Sequence, residues 1–176
     1  MSEHEPDKHR EVRGYERMLE QLRHQLTDWR AETGPRLRHA LASARDHLVE
    51  LGELSREEAD RVADWLRRDV EEAADYTAKT QRDLSDWFRM DLQLIESWLW
   101  DKFSSVADET RLDWQRFQAS VDEAAHYHTG EIAGPGTLIC RACGETLQFV
   151  RTGHIPPCPH CRESVFRRPT SGDHPT

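Results

Sequence analysis

The stretch CRACGETLQFVRTGHIPPCPHC, Cys140 to Cys161, holds all four cysteines of the chain as two Cys-x-x-Cys pairs, Cys140/Cys143 and Cys158/Cys161, with fourteen residues between them. Each pair sets two sulfurs on one tight turn, and a hairpin of this length brings two such turns together around a tetrahedral metal. Runs rich in β-branched and apolar residues bracket the turns: Thr137 to Ile139, Thr146 to Val150 and Ser164 to Phe166. They suit the small antiparallel sheet of a zinc ribbon. So small a unit cannot stabilise itself by burial alone, and a structural zinc supplies on the order of 10 kcal/mol of folding free energy. Four thiolates close the ligand shell, whereas a hydrolytic zinc keeps one position for water. The expected cofactor is one structural Zn²⁺, and no enzymatic role is expected. Iron in a rubredoxin-like site is the nearest competitor, but rubredoxins space their pairs more widely.

Upstream, the chain reads as helix. Val12, Tyr15, Leu19, Leu22, Leu26 and Trp29 recur at steps of three and four, a heptad seam, until Thr33, Gly34 and Pro35 stop it. Leu37, Leu41, Ala44, Leu48 and Leu51 repeat the spacing up to Gly52, a left-handed cap. Ser55 and Glu58 form a capping box that opens a third helix, with Ala59, Val62, Leu66, Val70, Ala73 and Thr77 on one face. The link is short enough to predict a helical hairpin.

The pattern turns polar from Ala78 to Arg82 and resumes with Leu84, Trp87 and Phe88. Leu92, Leu94, Ile95, Trp98, Leu99, Trp100 and Phe103 are too evenly spread for one stripe, so the segment is expected to be covered on several sides. The cover is other helices or a second copy of the chain, which makes Leu92, Ile95, Trp98, Leu99, Trp100 and Phe103 a candidate self-association surface. Ser104 to Asp108 offers a cap or kink, and Leu112, Trp114, Phe117, Val121 and Ala124 continue helically toward His128. The predicted fold is mainly α: long amphipathic helices packed as a helical hairpin or coiled-coil-like bundle, with a small C-terminal β zinc ribbon. The expected divisions are a helical body over 1–129, a linker over 130–136, the ribbon over 137–168 and a disordered tail over 169–176.

Charge divides the chain. Its net charge of -9 is the balance of -11 over residues 1–136, +3 over residues 137–168 and Asp173 in the tail. The basic tip makes Arg141, Arg151, Arg162, Arg167 and Arg168 candidate contacts for a protein partner or a nucleic acid. Nucleic-acid binding is not favoured: four thiolates around one Zn²⁺ carry -2, only Phe149 and Phe166 are present to stack on bases, and the acidic body repels phosphates. His126, His128 and His154 are weighed as a second metal site, but surface or hydrogen-bonding roles are the commoner fate of histidine. No apolar leader precedes a cleavage site and no segment nears the ~18 apolar residues of a membrane helix, so a cytoplasmic location is expected.

These residues carry a resemblance. GELSREEADRVADWLRRDVEEAA (Gly52 to Ala74), the Trp98 to Trp114 region, YHTGE (Tyr127 to Glu131), GPGTLICRACG, CPHC and FRR resemble the YbeL-like family of bacterial zinc ribbon-containing proteins. The resemblance implies a helical body with a carboxy-terminal metal ribbon and no established activity. One departure stands out: Arg162 occupies the place after the second pair where glycine is usual, as Gly144 is after the first. Taken together, the reading is an uncharacterised zinc ribbon protein acting as an interaction or regulatory adaptor, with an unidentified protein partner or a homo-oligomer. The alternatives are a nucleic-acid-associated factor and a redox-responsive zinc-thiolate switch.

Overall fold

The computed structural model describes residues 5–28, 36–80, 92–117, 126–170 and 172–173. Four α-helices lie among them: α1 (Glu5–Asp28), α2 (Arg36–Glu50), α3 (Arg56–Thr80) and α4 (Ser97–Phe117), the last preceded by a 3₁₀ turn at Leu92–Leu94. Helix α1 packs on α2, α3 and α4, α2 on α3, and α3 on α4, so the heptad seams meet inside one chain. Tyr15, Leu19, Leu22 and Leu26 of α1, Leu37, Leu41, Ala44 and Leu48 of α2, and Ala59, Val62, Leu66, Val70 and Ala73 of α3 form one buried core.

The α2–α3 hairpin forms as its residues require. Gly52 takes a left-handed φ of 69°. There the amide of Gly52 donates to Val49 and that of Glu53 to Leu48, which closes the helix end. The amide of Glu58 donates to Ser55 Oγ at 3.2 Å while the Ser55 amide donates to the Glu58 carboxylate at 2.7 Å, a reciprocal capping box. Leu54 in this turn is buried against Gly14 of α1, where an added Cβ would come within 2.7 Å of it.

Several expectations change. Leu51 is 53% exposed, because it lies in the turn beyond the end of α2. Helix α4 runs unbroken through Ser104–Asp108, with Ser104 Oγ donating back to the Trp100 carbonyl. The Leu92–Phe103 surface divides: Ile95, Leu99 and Phe103 enter the bundle core, Trp100 is half-buried against it, and Leu94 and Trp98 stay exposed. Trp29, Leu84, Trp87, Phe88, Val121 and Ala124 lie outside the described residues, as do the side chains of Leu92, Leu112, Trp114 and Phe117.

The carboxy-terminal unit is larger than residues 137–168. A four-stranded sheet has the order β1-β6-β3-β4, with β1 Tyr127–His128, β3 Gly136–Cys140, β4 Thr146–Phe149 and β6 Val165–Arg167. A two-stranded ribbon pairs β2 (Ile132–Ala133) with β5 (Gly153–His154). Tyr127, expected in the helical body, pairs with Phe166. Residues 130–136 are not a linker, since Ile132 to Gly136 are buried. Successive residues of a strand face opposite ways. Ile132 therefore enters the bundle core while Ala133 enters the ribbon core of Tyr127, Leu138, Ile155 and Phe166. The tail is held at its start: Pro169 is buried, and Asp173 accepts from Arg167 at 2.6 and 2.7 Å and from the Thr170 amide.

Candidate metal centre

The two cysteine turns are copies of one structure. Cys140 ends β3, its amide donates to Glu145, and the Gly144 amide donates to the Cys140 carbonyl at 3.0 Å. In the second turn the Cys158 amide donates to Glu163 and the Arg162 amide to the Cys158 carbonyl at 2.9 Å. Gly144 has φ 79° and Arg162 φ 68°, so the arginine at the glycine position takes the same left-handed conformation and bears its steric cost.

The four Sγ atoms lie within 4.8 Å of one another, with Cys140 and Cys161 at 3.6 Å and Cys143 and Cys158 at 3.6 Å. A disulfide would need about 2.05 Å. Sulfurs 2.3 Å from a common tetrahedral centre stand about 3.8 Å apart, so the cage fits zinc. Cys140 and Cys158 are buried, Cys161 is half-buried and Cys143 is exposed. Burial opposes ionisation of Cys158, but amide hydrogen bonds from Cys161 and His160 pull it down to about 7. At Cys143 the Glu145 amide favours the thiolate, yet desolvation and the three neighbouring sulfurs outweigh it and push the thiol to about 12. A divalent cation removes that repulsion, which is why such sites bind metal with release of protons.

The chain matches over residues 24–170 a family described as "Zinc-ribbon containing domain". It belongs to that zinc-ribbon family. It is also 31% identical over 125 residues to "Uncharacterized protein YbeL" of Escherichia coli K12, covering 71% of this chain and 77% of that protein. The same identity and coverage hold for the YbeL proteins of E. coli O6:H1 strain CFT073 and O157:H7. No solved structure matches the chain. Family and geometry together make Cys140, Cys143, Cys158 and Cys161 the ligands of one structural zinc.

The other candidate residues separate. Arg141 and Arg162 are exposed beside the metal turns, and Arg151 is exposed at the end of the hairpin. Arg167 is half-buried and tied to Asp173. Arg168 is not a surface contact, since it is only 3% exposed. Its guanidinium donates to the carbonyls of Gly134, Pro135 and Thr137, lies 3.6 Å from Asp69 and stacks 5.1 Å above the Tyr127 ring. His126 bonds Arg141, and His154 bonds the carbonyls of Gly130 and Lys8, so they do not converge on a second metal. Among the described residues the four cysteines are the metal-ligating cluster.

Arg168 belongs to a buried joint between ribbon and bundle. Asp69 of α3 is fully buried; its Oδ2 accepts from Tyr15 Oη at 2.6 Å and from the Gly134 amide at 2.7 Å. Arg68 stacks 3.8 Å above the same aromatic, Tyr127, and donates to Glu131 and to the carbonyls of His126 and Ile132. Burial and the neighbouring carboxylate push the Tyr15 phenol well above its usual range, so it remains a donor. A Cβ on Gly134 would stand 2.6 Å from Tyr15 Oη, so glycine is what lets the strand approach α3. Asp69 was legible as one acidic residue in the apolar stripe of α3, three after Leu66 and seven after Val62; Arg168, Tyr127 and Gly134 carried no comparable sign.

Proposed function

We propose that the chain is a non-enzymatic cytoplasmic adaptor whose bundle and zinc ribbon bind a protein partner as one body. What supports this reading is the buried joint around Asp69. A ribbon on a flexible linker would be an independent reader. A ribbon anchored by Asp69, Arg168 and Ile132 instead forms composite surface with α3. There a cleft of about 480 Å³ is lined by Arg61, Asp64, Trp65, Arg67, Arg68 and Glu131. One indole among charges of both signs suits a polar protein segment better than a small apolar ligand. No described helix is long and apolar enough to cross a membrane. Burial of Arg168 and pairing of Arg167 remove two charges from the set a nucleic acid would use.

The test is crosslinking capture with the zinc-loaded chain beside Trp65→Ala and Cys143→Ser. The adaptor reading expects a partner set that both variants lose, the first at the cleft and the second through the ribbon's fold. An unchanged set in both would overturn it.

One observation favours a redox-responsive second reading: Cys143, exposed, lies 3.6 Å from Cys158. Their two thiolates would pass two electrons to hydrogen peroxide, forming the S–S bond and, with two protons, two waters. Metal release by stoichiometric peroxide that a thiol reductant reverses is the expected result; metal retention would remove the reading.

A further inference from the structure

We infer that β4 is a self-pairing edge through which two copies of the chain join their ribbon sheets. The two ends of the four-stranded sheet differ. At one end, β1 is covered by α3, with Arg68 on the Tyr127 ring and Tyr127 Oη donating to Glu72. At the other, β4 pairs with β3 alone among the described residues, and Thr146 and Gln148 are exposed.

The direction of the free backbone groups follows from the register. Cys140 stands opposite Glu145 in the continuation of the β3–β4 pairing, and the Cys140 amide donates to Glu145 at 2.8 Å. Hydrogen-bonded pairs alternate along an antiparallel ladder, so Leu147 and Phe149 also point their N–H and C=O groups at β3. Thr146 and Gln148 then aim theirs outward. The β3–β6 ladder agrees: the Arg141 amide donates to Val165, so odd-numbered residues of β3 face β6 and even-numbered ones face β4.

Edges of this kind are usually blunted by lysine, proline or a bulge. The segment from Thr146 to Val150, TLQFV, has no charge and no proline. A second β4 placed antiparallel with Gln148 opposite Gln148 matches outward groups to outward groups, at Gln148 and, just past the strand end, between Thr146 and Val150. Leu147 then faces Phe149 of the other copy in the closer, non-hydrogen-bonded pairs, where side-chain contact is strongest. The same register sets Glu145 of each copy opposite Arg151 of the other, an opposite-charge pair at both ends. That complementarity is what selects a second copy of this chain as the occupant. So short a pairing lies at the transient end of interfaces, below about 1,200 Å². The inference rests on strand geometry and this charge match and does not depend on the adaptor reading.

Sedimentation velocity of the zinc-loaded full chain, from ~5 to ~500 µM, reads the result as a shift from monomer to twice the monomer mass. Gln148→Pro removes an N–H that faces away from β3, so it should leave the ribbon's own ladder and zinc content in place and weaken self-association at least tenfold. Glu145→Arg and Arg151→Glu should each weaken it, and an equimolar mixture of the two should recover a dimer, because both end pairs become opposite in charge again. This charge exchange decides the matter even if the proline variant loses its metal. A wild-type monomer throughout the range, a dimer indifferent to Gln148→Pro in a zinc-loaded protein, or a mixture no tighter than its components would overturn the inference.

Discussion

Replacing Asp69 by alanine should unfasten the ribbon from the bundle. The carboxylate accepts from Tyr15 and from the Gly134 amide through one oxygen and faces Arg168 with the other, all within a buried site. Each stranded donor costs about 1–3 kcal/mol, and breaking a buried charge pair about 3–5 kcal/mol. One carboxylate serves every partner, so the costs overlap, and a loss of about 4 kcal/mol is expected. Against a typical domain stability of about 5–15 kcal/mol that is a large fraction. The assay is urea unfolding of the zinc-loaded chain, followed by tryptophan fluorescence for the bundle and by transfer of zinc to a colorimetric chelator for the ribbon. Both probes should shift to lower urea, because Arg168 follows directly on β6, whose register against β3 sets the metal turns. Adding Arg168→Met should remove the orphaned cation, leaving the double variant about 2 kcal/mol more stable than additive single losses. A loss under about 1 kcal/mol in Asp69→Ala, or strictly additive variants, would refute the joint as an energetic unit.

Other outcomes follow from the same contacts. Linkage is reciprocal, so chelating zinc should loosen the joint in turn, read as faster hydrogen exchange at the Gly134 amide; unchanged exchange would separate ribbon from bundle. Arg162→Gly should stabilise the zinc-loaded protein by about 1 kcal/mol in urea melts, because glycine takes φ 68° without the Cβ penalty. Ser55→Ala should cost about 1 kcal/mol through loss of the α3 cap, measured in the same melts. The Arg167 guanidinium, helped by the Thr170 amide and hydroxyl, holds Asp173 well below the usual carboxylate range. A depressed carboxylate stabilises the fold above its unfolded pKa and loses that contribution as pH falls toward its folded value. Asp173→Asn should therefore cost about 0.5–1 kcal/mol at neutral pH, and the gap from wild type should close below about pH 4.

Much of the fold was legible because its signals are local. The seams through Tyr15 and Leu22, Leu41 and Leu48, and Val62 and Leu66 follow from spacing alone, and all these residues are buried. Gly52, Ser55 and Glu58 marked the hairpin because caps are chemistry between near neighbours. The strands at β1, β2 and β5 were not legible: each is two residues long and gains its pairing from a partner twenty or more residues away. The glycines and proline of residues 130–136 look like a linker by composition, yet Gly134 is there for close approach to Asp69.

By itself, then, the sequence determined the metal centre, since Cys-x-x-Cys turns carry their own geometry and four sulfurs suffice to define the ligand set. It determined the helices and their apolar faces for the same reason of short range. Only the tertiary structure decided what those faces meet, and only there did Arg168 pass from a surface cation to the buried partner of Asp69. Charge on a side chain is written in the chain, but whether water or an opposite charge surrounds it depends on residues nearly a hundred positions away.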